Sequence, residues 1–168
     1  MKLVPLLILC SLSSALGGEL ADQFPKKPKT HVFRESFDKL MHPGDYGIKQ
    51  IGIERTVGDC PFFTFMVNRD GTFRYRGEQV AKRRGDWHGT VDAGSLGEIF
   101  RYVSEMGYST LDDKYDPGIT DMPGTYTLIV SRHRKKIIFD SGGFGPAKLV
   151  ALENMIDQLQ TTAQWKRH

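Results

Sequence analysis

Between residues 63 and 75, two runs of alternating apolar side chains flank Asn68-Arg69-Asp70-Gly71. Phe63, Phe65 and Val67 recur at every second position before the turn, and Phe73 and Tyr75 do so after it. A period of two places each set on one face of an extended strand. Asp-Gly readily supplies the positive φ that a tight hairpin needs. This segment therefore commits the chain to antiparallel pairing over one buried face, with Arg74 and Arg76 directed away from it.

The surrounding pattern extends the hairpin into a domain. Ile51 and Ile53 alternate with Gly52 and Glu54 in a strand from residue 48 to about Thr56. A fourth strand, Asp86 to Val91, follows the turn Lys82-Arg83-Arg84-Gly85. The period then lengthens: Leu96, Ile99, Phe100, Val103 and Met106 form one stripe of a helix over Ala93 to Met106, with Asp92 as N-cap and Gly107 as its stop. An acidic loop spans Leu111 to Gly124, and a second hairpin joins Thr125–Ser131 to Lys136–Asp140. A last helix opens at Gly145-Pro146, with Pro at its first position, and carries Leu149, Leu152, Ile156, Leu159 and Ala163. The order ββββ-α-ββ-α predicts an α+β fold: a single antiparallel β-sheet with two helices packed on one face.

The N-terminus reads differently. Lys2, the apolar run Leu3 to Leu9 and the small residues from Ser13 to Gly17 form a signal peptide over residues 1–17, with cleavage after Ala15 or Gly17. The run is about half the ~20 residues a spanning helix needs, so no transmembrane segment is expected. Residues 18–47 form a Pro/Lys-rich tether, in which Phe33, Phe37 and Leu40 fall on one side of a short amphipathic turn. The domain occupies residues 48–168, and the protein is placed in the periplasm or outside the cell. Removing the signal peptide removes Cys10 and leaves Cys60 alone, so no intrachain disulfide can form.

Several motifs together carry a family resemblance. They are Arg55-Thr56, Gly58-Asp59-Cys60-Pro61, Asn68-Arg69-Asp70-Gly71-Thr72, Tyr75-Arg76-Gly77, Thr120-Asp121-Met122-Pro123, Gly145-Pro146, Leu152-Glu153-Asn154-Met155-Ile156-Asp157 and Trp165. On them the chain resembles a bacterial domain-of-unknown-function family, numbered 6438, over about residues 48 to 167. Its members are mostly exported or lipid-anchored, and the resemblance implies no reaction, substrate or cofactor. The family usually shows C-x-G-x-C-P; here the first Cys is absent, which removes disulfide chemistry at this motif.

No local arrangement supplies catalysis. The five histidines show no partnered spacing with Cys60, and Cys60 is read as a buried, inert thiol. Asp112, Asp113, Asp116 and Asp121 lack the alternating spacing of a calcium loop, and zinc lacks its ligand clusters. Ser141-Gly142-Gly143-Phe144-Gly145-Pro146 lacks the Lys of a phosphate loop. No catalytic residue, metal or cofactor is assigned. The reading is a non-catalytic binding or envelope-associated module. Two alternatives stay open: a hydrolase or other enzyme whose site assembles from Glu54, Arg55, Cys60 and Asp121, and a small-ligand or metal carrier using the acidic loop.

Charge points to the partner. The net charge of +3 is too small to imply nucleic acid. Its distribution is uneven: six basic and three acidic residues lie between Asn68 and Thr90, four basic and one acidic between Ser131 and Asp140, and two basic and seven acidic between Asp92 and Asp121. A basic face carrying Arg74, Arg76, Arg132 and Arg134 is expected to meet an anionic envelope polymer or an acidic protein surface.

Overall fold

The computed structural model describes residues 47–57, 60–78 and 81–167. The segments expected as a signal peptide and, except for Gly47, as a tether lie outside the described residues. Four strands come first: β1 (Ile48–Val57), β2 (Cys60–Asn68), β3 (Thr72–Gly77) and β4 (Gly85–Thr90). Helix α1 (Ala93–Met106) follows, then β5 (Lys114–Tyr115), β6 (Pro123–Ser131), β7 (Lys135–Ser141), helix α2 (Ala147–Thr162) and β8 (Gln164–Arg167). The strands form one sheet in the order β5-β7-β6-β1-β2-β3-β4-β8. All neighbours are antiparallel except β5 and β7, which are parallel.

Local chemistry fixes the turns and helix ends. Gly71 adopts φ 84°, and Asp70 Oδ1 accepts from the Thr72 amide at 2.9 Å, closing the β2–β3 hairpin. Asp92 Oδ2 accepts from the Ser95 amide at 2.7 Å, and Gly107 ends α1 in the left-handed region at φ 70°. Pro146 is the N-cap of α2 rather than its first helical residue: with φ −60° and ψ 148° its carbonyl opens the first turn while its own backbone stays extended.

The larger correction is in the strands. The sheet has eight, not six. β5 interrupts the acidic loop and pairs with β7 for two residues. β8 replaces the expected tail of the last helix, which ends at Thr162 and leaves Ala163 as its C-cap. β8 pairs with β4 at the edge opposite β7, so α2 carries the chain across the whole sheet. Gly89 permits this pairing, since a Cβ there would lie 1.8 Å from the Gln164 carbonyl oxygen. β8 also delivers Trp165 to Phe73 and Tyr75, with ring centroids 4.7 and 5.2 Å apart, while the Arg83 guanidinium lies 4.1 Å from the Trp165 ring.

One core cluster joins Ile51 and Ile53 of β1, Phe65 and Val67 of β2, and Phe73 and Tyr75 of β3 to Leu96, Ile99 and Val103 of α1 and Leu149, Leu152, Ile156 and Leu159 of α2. Both helices thus cover the same face of the sheet. A smaller cluster, Met66, Tyr126 and Leu128 with Val130, Ile137 and Phe139 beside it, lies on the other, open face; among the described residues its members all come from strands. Leu152 is fully buried on the sheet side of α2, whereas Asn154 is exposed. Leu152→Ala should therefore cost about 2–5 kcal/mol in urea melts. Asn154→Ala should cost less than ~0.5 kcal/mol, and equal losses would contradict this helix phase.

Candidate functional site

Alternation along β1 separates two adjacent residues that the sequence placed in one site. Arg55 shares a face with Ile51 and Ile53 and reaches α2, while Glu54 points to the open face. Their side chains belong to two different environments, so Glu54 and Arg55 cannot act together on one substrate atom.

On the helix side, Arg55 is engaged through all three of its guanidinium nitrogens. Nε and Nη2 donate to Asp157 Oδ2 at 3.2 and 2.6 Å, and Nη1 donates to Thr125 Oγ1 and to Glu153 Oε2, the latter at 3.5 Å. Thr127 Oγ1 donates to Glu153 Oε1 at 3.1 Å, and Tyr108 donates to the Thr127 carbonyl at 2.6 Å. Glu153 is buried, and burial pushes its carboxyl up to about 7 although the Arg55 charge opposes the rise. Burial also holds the Tyr108 hydroxyl well above its ordinary range. This cluster is closed: its donors and acceptors face one another and clamp α2 to β1 and β6. Its chemistry is that of an internal ionic lock.

Glu153 and Asp157 stand in the sequence as part of the Leu152–Asp157 motif that carries the family resemblance, but neither was placed in a candidate site. Glu153 falls four residues after Leu149 and three before Ile156, so it belongs to the sheet-facing stripe of α2 by spacing. An acidic residue at such a position, with Asp157 one turn later, was the available signal.

On the open face, hydrogen-bonded register sets a row of side chains across six strands. Phe139, Tyr126, Glu54, Thr64, Arg76 and Asp86 lie side by side. Thr64 Oγ1 donates to Glu54 Oε2 at 3.2 Å. Burial raises the Glu54 carboxyl to about 7, the Thr64 hydrogen bond lowers it and the Glu78 charge raises it. Arg76 is less open than the alternation predicts: its guanidinium bridges Glu78 at 3.4 Å and Asp86 at 4.0 Å. Arg74 is exposed in the next row, opposite Met66 and His88.

The remaining candidates are dispersed. Cys60 pairs through its backbone with Val57 at the end of the β1–β2 hairpin, and its side chain lies outside the described residues. Asp121 is exposed at φ 63° in the turn before β6. In the acidic loop, Asp113 is bound by Lys136 at 2.7 Å and Asp116 by Lys114 at 2.7 Å. Among the described residues, no three His, Cys, Asp or Glu side chains gather as metal ligands would. In the Ser141–Pro146 segment, Asp140 Oδ1 accepts from the Gly145 amide at 2.9 Å and shapes the approach to α2.

The basic residues divide between the two ends of the sheet. Lys82, Arg83 and Arg84 follow β3 at one end. At the other end the Arg69 amide donates to the Lys49 carbonyl at 2.8 Å, and the Arg132 amide donates to the Gly47 carbonyl at 3.0 Å. The β2–β3 and β6–β7 turns thus flank the start of β1 and bring Lys49, Arg69, Arg132, Arg134 and Lys135 to one rim. A shallow depression between Arg69, Gly71, Leu96 and Phe100 adjoins it, with the Arg69 guanidinium 6.0 Å from the Phe100 ring centre.

A family model described as Domain of unknown function (DUF6438) matches residues 49–160. The match spans β1 to α2, the part of the chain that contains both carboxyls raised to about 7, Glu54 and Glu153. No curated protein matches the chain.

The two raised carboxyls set a pH dependence. A carboxyl whose folded value lies near 7 holds its proton more tightly in the folded state, so its contribution is fully present below about 4.5 and is lost as pH rises through about 7. Glu54→Gln removes one such group and retains an acceptor for Thr64. Urea melts should show this variant more stable than the parent at pH 8, by up to about 3 kcal/mol, with the difference vanishing near pH 4.5. A constant difference across that range would contradict the assignment.

Proposed function

The chain belongs to the domain-of-unknown-function family DUF6438, and from that premise we propose that this member is an exported, non-catalytic binding module. Its contact surface is the basic rim at the start of β1, and its partner is an envelope polymer carrying repeated negative charge. The observation that carries this reading is the pair of backbone bonds from Arg69 to Lys49 and from Arg132 to Gly47. They hold two cationic turns on either side of one strand, so the positive charges are presented together on a rigid support.

Two features favour binding over catalysis. The buried ionic groups of the helix side are satisfied by one another, and their arrangement holds α2 in place. Two acids in turns beside β2–β3 and α1 are held by local bonds: Asp70 by the Thr72 hydroxyl and amide, and Asp92 by the Ser95 amide and hydroxyl. Export rests on the segment over residues 1–17, and among the described residues no helix is long and apolar enough to cross a membrane.

The test is retention of the full chain on immobilised polyglycerol phosphate. Binding should weaken steeply as added salt shortens the screening length below ~10 Å. Reversing Arg132 and Lys135, both exposed, together to Glu should lower affinity about tenfold or more with little change in melting temperature, because exposed substitutions away from the core cost little stability. Salt-independent retention, or an unaffected double variant, would rule out the rim. Retention on an acidic protein but not on the polymer would overturn the polymer as partner.

A further inference from the structure

The depression beside the cationic rim combines one fixed cation with one aromatic ring. It lies between the β2–β3 turn, which supplies Arg69, Asp70 and Gly71, and the part of α1 that carries Leu96, Gly97 and Phe100. Both walls are fixed. The Gly71 carbonyl accepts from the Val91 amide at 2.9 Å, and Leu96 and Phe100 pack in and against the helix-side core. Gly97 is exposed, and a Cβ there would meet nothing within 4 Å, so the space is open where this position lacks a side chain. Its volume of about 200 Å³ is below the ~300 Å³ at which pockets for drug-sized ligands begin, so it suits one small unit.

Arg69 is the charged group of this space. Its Nη1 donates to the Ile48 carbonyl at 3.0 Å, which holds the guanidinium in place, and its central carbon lies 6.0 Å from the Phe100 ring centre. Nε and Nη2 meet no acceptor among the described residues. A guanidinium edge with both N–H groups unused takes a planar carboxylate through two parallel hydrogen bonds. An aromatic face, negative at its centre, takes the positively polarised C–H groups of a saturated ring. The opposing charge is Asp70, whose Oδ1 is drawn into the turn by the Thr72 amide and hydroxyl at 2.9 and 2.6 Å.

From these two groups together we infer that the depression is a subsite for a single hexuronate unit. Its carboxylate meets the Nε–Nη2 edge of Arg69, and its ring lies against Phe100 over Gly97. Resting on the proposed reading of the rim as a polyanion contact, this subsite narrows the polymer to an acidic polysaccharide. An acyclic glycerol phosphate chain carries charge for the rim but no ring for Phe100.

Calorimetric titration of the full chain with trigalacturonate, and with maltotriose as the uncharged control, tests this. Trigalacturonate should bind and maltotriose should not. Gly97→Leu fills the space with a good helix former, and Arg69→Lys keeps the charge but loses the fork. Each should weaken trigalacturonate binding by about tenfold or more. Retention on polyglycerol phosphate should stay at the parent level in both variants. No binding of trigalacturonate by the parent, equal binding of maltotriose, or unchanged affinity in the two variants would overturn the subsite. Equal losses of trigalacturonate and polyglycerol phosphate binding in both variants would overturn it too. A parent that binds trigalacturonate through these residues, yet passes unretained over polyglycerol phosphate, would overturn the rim as the contact surface and leave the subsite standing.

Discussion

β1 is hydrogen-bonded along both edges and buried on both faces, and the other elements are arranged around that fact. Pairing with β2 and β6 removes solvent from its edges. Its odd residues, Ile51, Ile53 and Arg55, enter the helix-side core, while Gly52, Glu54 and Thr56 face the other way and are buried there. Alternation in this strand therefore separates two interiors rather than an inside from an outside. The ion pairs from Arg55 to Asp157 and Glu153 then fix α2 over the sheet, and α2 in turn delivers β8 to the far edge. A substitution in β1 acts on the helix, the open face and the edge strand together.

Elements specified by their own residues were legible in the sequence. α1 has the bounds its stripe implied, since Asp92 and Gly107 are local signals that act within one turn. The β2–β3 hairpin is equally local, through Asp70 and Gly71. β8 was not legible, because four residues carry no periodicity of their own. Its pairing depends on the missing side chain at Gly89, 75 positions before Gln164, and on an aromatic pocket built from β2, β3 and β4. The Arg55 lock is non-local in the same sense: its partners lie 70, 98 and 102 positions away. A strand pattern can say that Arg55 and Glu54 face opposite ways, but not which carboxylate each face will supply.

The two raised carboxyls come from this same double burial, by different balances. Glu153 has a cation and a hydroxyl within reach, yet desolvation still dominates, because the Arg55 charge is shared with Asp157. Glu54 has the Thr64 hydroxyl and the repulsion of Glu78. Both groups are easiest to bury when neutral, so the sheet tolerates a carboxyl on each face of its central strand at the expense of stability in alkaline solution. Replacing either with an apolar residue would remove that sensitivity, but at position 153 it would leave the Arg55 guanidinium beside Asp157 alone.

Net charge says little about how such a molecule meets an anion, because screening limits each charge to a range of about 8–10 Å at ordinary ionic strength. What counts is how many cations share one end of the sheet. Lys49, Arg69, Arg132, Arg134 and Lys135 share the rim by the topology of two hairpins packed against β1, whereas Lys82, Arg83 and Arg84 lie at the opposite end and Arg76 is paired with acids on the open face. The chain also enters the domain at this rim, through Gly47, whose carbonyl accepts from Arg132. The Arg132–Gly47 and Arg69–Lys49 bonds therefore tie both cationic turns to the first residues of the central strand, so the presentation of the rim is set by the same few backbone bonds that start β1.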